Sequence, residues 1–210
     1  MDLPTMRARL RADLRDEDTA NQRWSNGTLD RYLGRAVQEL SLAAPREVTA
    51  TLTTSAGTRD VSIASLTSRV TIEAVEYPVG QYPPAYPPFS AWANTLTLLV
   101  DGLPAAGQQL IVRYGALHVL DATSSTIPDP LLDLVATGAA AYAAIEWASY
   151  ATNRINIGGD DTWGHYHTWG QERLAAFAKG LAKHGRERRL RSRRLYLPAG
   201  GALGARPLEG

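Results

Sequence analysis

The run at residues 128–156, PDPLLDLVATGAAAYAAIEWASYATNRIN, restricts what this chain can fold into more than any other stretch. Asp129 and Pro130 suit a helix cap and first turn, and Asp133 lies close to the positive helix end. Beyond Pro130 there is no proline and one glycine, Gly138, in a segment rich in alanine, the best helix former. A helix of this length spans roughly 40 Å. Its larger residues, Leu131, Leu134, Val135, Tyr142, Ile145 and Trp147, are interleaved with Ala136, Ala139, Ala140, Ala143 and Ala144, so it is apolar on more than one side. Such a helix belongs in an interior. It reads as the central post of a helical bundle, with small residues that let neighbouring helices approach closely. Residues 131–147 also reach the minimum length of a membrane span. Asp133 and Glu146 interrupt them, however, and no aromatic or basic belt frames them, so no membrane is expected. An ordinary core helix of a monomer fits the same residues.

With 210 residues, 44% of them hydrophobic and 20% charged, the chain has room for one sizeable soluble domain or two small ones. The absence of cysteine excludes disulfides, thiol nucleophiles and thiolate metal sites. The first 18 residues are charged and lack an apolar core, so no signal peptide is expected and the protein is read as made and kept in a cytoplasm. In that setting Asn26-Gly27-Thr28 carries no meaning as a glycosylation site. The formal net charge of +1 hides an asymmetry. Between Lys179 and Arg194 stand eight basic residues and one acid, Glu187, while the remainder holds 14 basic and 20 acidic residues. A basic tail on an acidic body points to an anionic partner, or to an arm that grips another protein.

Periodicity divides the rest. A first helix is expected after Thr5, with Met6, Leu10 and Leu14 on one stripe, ended by the acidic residues 16–21. Trp24 is placed as a staple before a second helix carrying Leu29, Tyr32, Leu33, Ala36, Val37, Leu40 and Ala44, closed by Pro45. From Val48 to Leu117 apolar residues alternate with a period of two between turn-rich segments at 55–58 and 101–107, the pattern of antiparallel hairpins. Four prolines within residues 81–89 favour an extended arm, whose Tyr82, Tyr86 and Phe89 are candidate subunit contacts along with Ala139 and Ala143 of the long helix. Residues 158–169 read as a flexible loop before a last helix with Leu174, Phe177 and Leu181, which Gly180 and Gly185 weaken toward its end. The closing residues have the composition of a disordered tail. The expected class is α+β: a helical bundle (1–46 and 118–185), an inserted antiparallel β unit (47–117) and an extended basic C-terminal arm (186–210).

Little here suggests chemistry. Asp160, Asp161, His165 and His167 form the one cluster able to bind metal or act as acid and base, but they lack the separated, helix-borne ligands of a catalytic zinc site. His118 and His184 stand alone. No nucleophile elbow, phosphate loop or dinucleotide fingerprint is present, so no catalytic residue, cofactor or metal is expected and the chain is not read as an enzyme. The arginine-rich segment is the strongest electrostatic feature. Arg186, Arg188, Arg189, Arg191, Arg193 and Arg194 suit phosphate contact without sequence readout, or docking on an acidic protein surface.

Taken in order, residues 5–155 resemble the head–tail adaptor (head-completion) proteins of tailed bacteriophages. The resemblance rests on LRADLRD at residues 10–16, on WSNGTL at residues 24–29 with the helix from Arg31 to Ala44, on the strand RVTIEAVEYP at residues 69–78, on the hairpin from Leu96 to Tyr114, and on the alanine-rich helix after Pro128. No single motif is diagnostic, and the β insertion is larger than in the smallest helical members. The resemblance implies a structural virion protein at the head–tail interface, made in the host cytoplasm. It implies a homo-oligomeric ring, commonly of twelve copies, below the portal, which extends the DNA channel and serves as a platform for the stopper or tail-completion protein. C-terminal segments in this family often dock on the portal, which assigns portal or channel-DNA contact to the six arginines above with Leu195, Tyr196 and Leu197. The competing expectation is a cytoplasmic nucleic-acid-binding protein, not sequence-specific, working through the same arginines.

Overall fold

The structure, a computed structural model, describes residues 1–151 and 162–195, with residues 162 and 188–195 described as backbone only. Among the described residues four helices and six strands follow one another in the order expected for an α+β chain: α1 (Leu3–Leu14), α2 (Asn26–Ala43), β1 (Arg46–Thr53), β2 (Asp60–Ser62), β3 (Arg69–Glu76), β4 (Phe89–Trp92), β5 (Thr95–Leu98), β6 (Gln109–Ala116), α3 (Asp129–Ala151) and α4 (Thr162–Leu195). They form two compact units, one of Met1–Arg46 with Leu117–Gly185, the other built on Glu47–Ala116.

In the helical unit α1 starts earlier than Thr5. The Asp2 carboxylate accepts the Thr5 N–H at 3.0 Å, and Pro4 sits in the first turn, where a missing N–H costs nothing. Arg15 ends the helix in the left-handed region at φ 54°. The acidic stretch that follows is partly interior: Asp16 is 5% exposed and pairs with Arg11, 7% exposed. Arg11 also donates to the Trp24 carbonyl at 2.9 Å and to Asn26 Oδ1 at 2.8 Å, while Asp16 accepts the Arg23 N–H at 2.5 Å. One buried ion pair thus folds the α1–α2 connection back on itself. Ser25 caps α2 through the Thr28 N–H, and the stripe from Leu29 to Leu40 is buried with Trp24 in one apolar cluster. The His118 ring lies 3.0 Å from the carbonyls of both Ala44 and Thr126, and its backbone N–H donates to Ser41 Oγ at 2.9 Å, fixing where the chain re-enters this unit.

Helix α3 is the interior post. Ala136, Ala139, Ala140, Ala143 and Ala144 are fully buried, and α3 touches both α1 and α2. It is long and apolar enough to cross a membrane by composition, but two thirds of its apolar window (67%) is buried inside the protein, the mark of a core helix. Helix α4 approaches it through glycine. A Cβ on Gly138 would stand 2.9 Å from the Phe177 ring, and one on Gly170 would stand 2.7 Å from Ile145 and 3.3 Å from the Ala141 carbonyl.

Two expectations about the last third need correction. Residues 162–169 are the first turns of α4 and not a loop, because Tyr166 and Trp169 pack against the core from a helical frame. The segment from Arg186 to Leu195 is also not extended: its backbone continues α4. Gly180 and Gly185 do not end that helix; they mark close approaches, to the Leu134 side chain and to the Ala43 carbonyl, which offset their weak helix propensity. Tyr196, Leu197 and the remainder of the expected arm lie outside the described residues, as do Asp160 and Asp161.

The β unit has two three-stranded sheets, in the orders β1-β6-β3 and β2-β5-β4, packed on a shared core that includes Val61, Ile63, Val75, Leu96, Leu98, Leu110 and Val112. Five of the six described strands lie close to where alternation places them, β4 was not expected, and the pairing differs. No hairpin joins β1 to β2 or β5 to β6, since β1 pairs with β6 and β2 with β5. The connections are held across by side chains: Arg59 donates to the carbonyls of Val100 and Asp101 at 2.7 Å each, and Thr54 Oγ1 donates to the Ala105 carbonyl at 2.6 Å. The tight hairpin present is β4–β5, which turns over Ala93 (φ 50°) and Asn94, with β4 emerging from the proline-rich stretch.

Candidate functional site

The residues proposed from sequence fall into three groups. The arginine group is carried on the C-terminal part of α4, where Arg186 is exposed; the other arginines of the group and Leu195 belong to the same helix by backbone. A helix advances about 1.5 Å per residue against roughly 3.3 Å for an extended arm. The ten residues from Arg186 to Leu195 therefore cover less than half the distance an extended arm would, and hold their charges at higher density.

The second group is the contact residues. Tyr82 is 97% exposed. Tyr86 is half-buried, with the Arg113 guanidinium 6.0 Å from its ring centroid, and Phe89 packs against the β core. The proline-rich stretch does not project as a free arm, because the Tyr77 N–H donates to the Ala85 carbonyl at 3.1 Å and folds it back on its own unit. Ala139 and Ala143 have no exposed surface, so they serve the chain's own helix packing and cannot meet a second subunit. The expectation for those two is corrected. Sequence alone gave a small-residue surface, and what covers it is α1, α2 and α4 of the same chain.

The third group, the histidines, does not converge. His165 and His167 are exposed on α4, two residues apart, on different sides of the helix. His118 is spent on backbone carbonyls. Among the described residues no three His, Cys, Asp or Glu side chains come together in a metal-binding group.

What the sequence reading missed is an aromatic and cationic junction at the start of α4. The Arg23 guanidinium lies 4.4 Å from the Trp147 ring centroid, 5.2 Å from that of Tyr166 and 5.6 Å from that of Trp24, and it donates to Tyr166 Oη at 2.7 Å. Trp147 and Tyr166 are themselves 4.6 Å apart, centroid to centroid. The adjacent Arg23-Trp24, Trp147 and Tyr166 were visible as residue types, but nothing in their spacing foretold that the α1–α2 connection, α3 and α4 would bring them together.

Ion pairs lace the same unit: Arg7 with Asp30 at 2.7 Å, Arg9 with Asp133 at 2.6 Å and Arg31 with Glu146 at 2.6 Å. The bidentate carboxylate of Asp30 raises Arg7 above its ordinary value. Burial, reinforced by neighbouring carboxylates, pushes the phenols of Tyr32 and Tyr142 up to about 12; Tyr142 donates to Glu39 Oε1 at 2.7 Å. Asp121 is held below the usual carboxylate range by the N–H groups of Thr123 and Ser124. These are the electrostatics of a rigid frame, with charges satisfied between helices.

No model of a known protein family matches the chain, and no curated protein matches it.

Proposed function

We propose that this chain is a head–tail adaptor of a tailed bacteriophage. In this reading it is a structural subunit without enzymatic activity that assembles as a ring of twelve copies below the portal. The ring extends the DNA channel and presents a platform to the stopper or tail. The observation that carries the reading is the order of parts: two helices, a β insertion between α2 and α3, a long alanine-rich helix and a last helix running into the arginine cluster. A frame whose polar groups are largely spent on one another suits a structural part. Ring assembly would multiply each helix's basic charge and give avidity for a portal surface or channel DNA.

The test is to mix the purified protein with portal rings and image the particles by electron microscopy. Ring-shaped density below the portal is the expected result, and removing residues 186–210 is expected to abolish attachment while leaving the body folded. Attachment that survives the truncation removes the arginine segment from the interface. Six arginines within residues 186–194 favour a second reading, non-specific nucleic-acid binding by the isolated chain. It predicts a DNA mobility shift that weakens steeply with salt. Absence of portal density together with that shift would replace the adaptor reading.

A further inference from the structure

Between the end of α1 and the first turns of α4 lies an open cleft of about 520 Å³. Its lining is chemically divided. Tyr166 and Trp169 contribute aromatic walls, while Arg15, Arg173 and His165 contribute nitrogen-bearing heads opposed, among the described residues, by a single carboxylate, Asp13. The Arg173 guanidinium lies 4.3 Å from the Trp169 ring centroid and 3.7 Å from Asp13 Oδ2, near enough for an ion pair and too far for a hydrogen bond. Stacking therefore orients its donors without consuming them. Arg15, at the left-handed end of α1, is exposed, and among the described residues its side chain makes no hydrogen bond or ion pair.

Two guanidiniums against one carboxylate favour an anion, and a guanidinium fork matches phosphate or carboxylate oxygens. A bare inorganic anion would leave the aromatic walls and most of the volume unused. A neutral planar molecule would leave Arg15 unused. The geometry points to this cleft as a binding site for a small planar anion, with its phosphate or carboxylate between Arg15 and Arg173 and its ring against Tyr166 and Trp169. A nucleoside monophosphate has both parts. The inference stands whether or not the chain is an adaptor, since it uses only the helical unit.

Isothermal titration calorimetry on the full chain at low salt, with AMP, adenosine and inorganic phosphate as separate titrants, tests it. AMP is expected to saturate one site per chain, with adenosine and phosphate each at least about tenfold weaker, since each lacks half of the contacts. Arg15→Gln is expected to weaken AMP by about tenfold, because a charge-assisted contact is lost from an exposed side chain that the fold does not need. Lys183→Gln, which removes an exposed cation elsewhere on α4, is expected to leave AMP binding unchanged. Phosphate binding as tightly as AMP, equal losses in the two variants, or no AMP binding at millimolar concentration would each overturn the site. A short 5′-phosphorylated single-stranded oligonucleotide separates the sources of the ligand. Binding tighter than AMP identifies a strand end, weaker or equal binding identifies a free nucleotide, and either supports the site.

Discussion

Gly34 and Gly170 both lie inside helices, and the same substitution to alanine is expected to move stability in opposite directions. On α2, a Cβ at Gly34 would meet nothing within 4 Å, so Gly34→Ala gains helix propensity alone, about 1 kcal/mol. At Gly170 the same gain is set against a Cβ 2.7 Å from Ile145 Cγ1, 3.2 Å from Ala144 Cβ and 3.3 Å from the Ala141 carbonyl oxygen. Ile145 is β-branched with few alternative rotamers, and the other two neighbours belong to the frame of α3, so relief requires α3 and α4 to separate. Overpacking of this kind costs about 1–3 kcal/mol. Net of the propensity gain, Gly170→Ala is expected to range from near neutral to about 2 kcal/mol less stable. For a chain of this size 1 kcal/mol corresponds to roughly 2–4 °C in Tm. Thermal melts followed by helical circular dichroism would raise Tm by a few degrees for Gly34→Ala and leave it flat or lowered for Gly170→Ala. Gly180→Ala should fall between them, because its obstacle, Leu134 Cδ1 at 2.5 Å, is the tip of a flexible side chain. If Gly170→Ala stabilises as much as Gly34→Ala, the close approach of α3 and α4 is not what the glycine serves.

Burial raises the phenols of Tyr32 and Tyr142 to about 12 in the folded protein against an ordinary 10, so their contribution is complete below pH 10 and is lost as pH rises from 10 to 12, by about 1 kcal/mol each after solvent screening. Tyr142→Phe should therefore flatten the fall of unfolding free energy between pH 9 and 12, at a cost of about 1 kcal/mol at neutral pH for the lost bond to Glu39; an unchanged slope would refute the assignment. Arg11→Ala and Asp16→Ala each leave a buried charge unpaired and are expected to cost about 3–5 kcal/mol in urea denaturation, while the double variant should lose clearly less than the sum of the two. His118→Ala should cost about 2 kcal/mol, and Val119 amide exchange should quicken, because the ring that bridges the Ala44 and Thr126 carbonyls is gone.

Where the signal was local, the sequence carried the fold. The stripe of α2 needs only three- and four-residue spacing and a stop at Pro45, and both are written in adjacent residues. Strand positions in the β unit other than β4 were legible for the same reason, since alternation belongs to one strand, and β4 is too short and too close to the prolines to show it. Pairing was not legible, because the side-chain period of two says which face a residue takes and nothing about which strand lies beside it. Thus β1 reads as half of a hairpin with β2 yet lies beside β6. The junction around Arg23 failed to register for a similar reason: Trp24, Trp147 and Tyr166 come from three separated stretches, and a cation among aromatics has no sequence period. Gly180 and Gly185 misled in the opposite way. A propensity scale prices them as helix weakeners, but their lack of a Cβ is what lets α4 pass Leu134 and the Ala43 carbonyl.

The burial of Ala139 and Ala143 also changes what a ring of this subunit would be held together by. A stable interface removes on the order of 1,200–2,000 Å² from water, and the small-residue surface of α3 that suggested close subunit packing is already consumed within the chain. The large apolar side chains left exposed include Tyr82, Trp92, Leu99 and Leu103 on the β unit and Leu42 and Tyr150 on the helical unit. Single exposed apolar residues are ordinary on any surface. An interface built from them must be completed by polar and charged groups, which exposed α-helical faces supply in quantity. Such contacts gain less from area than from charge complementarity and weaken with salt. On the proposed reading, the isolated subunit is expected to stay monomeric and the ring to form only when a charged platform aligns many copies, because this chain buries the small-residue surface of α3 inside itself.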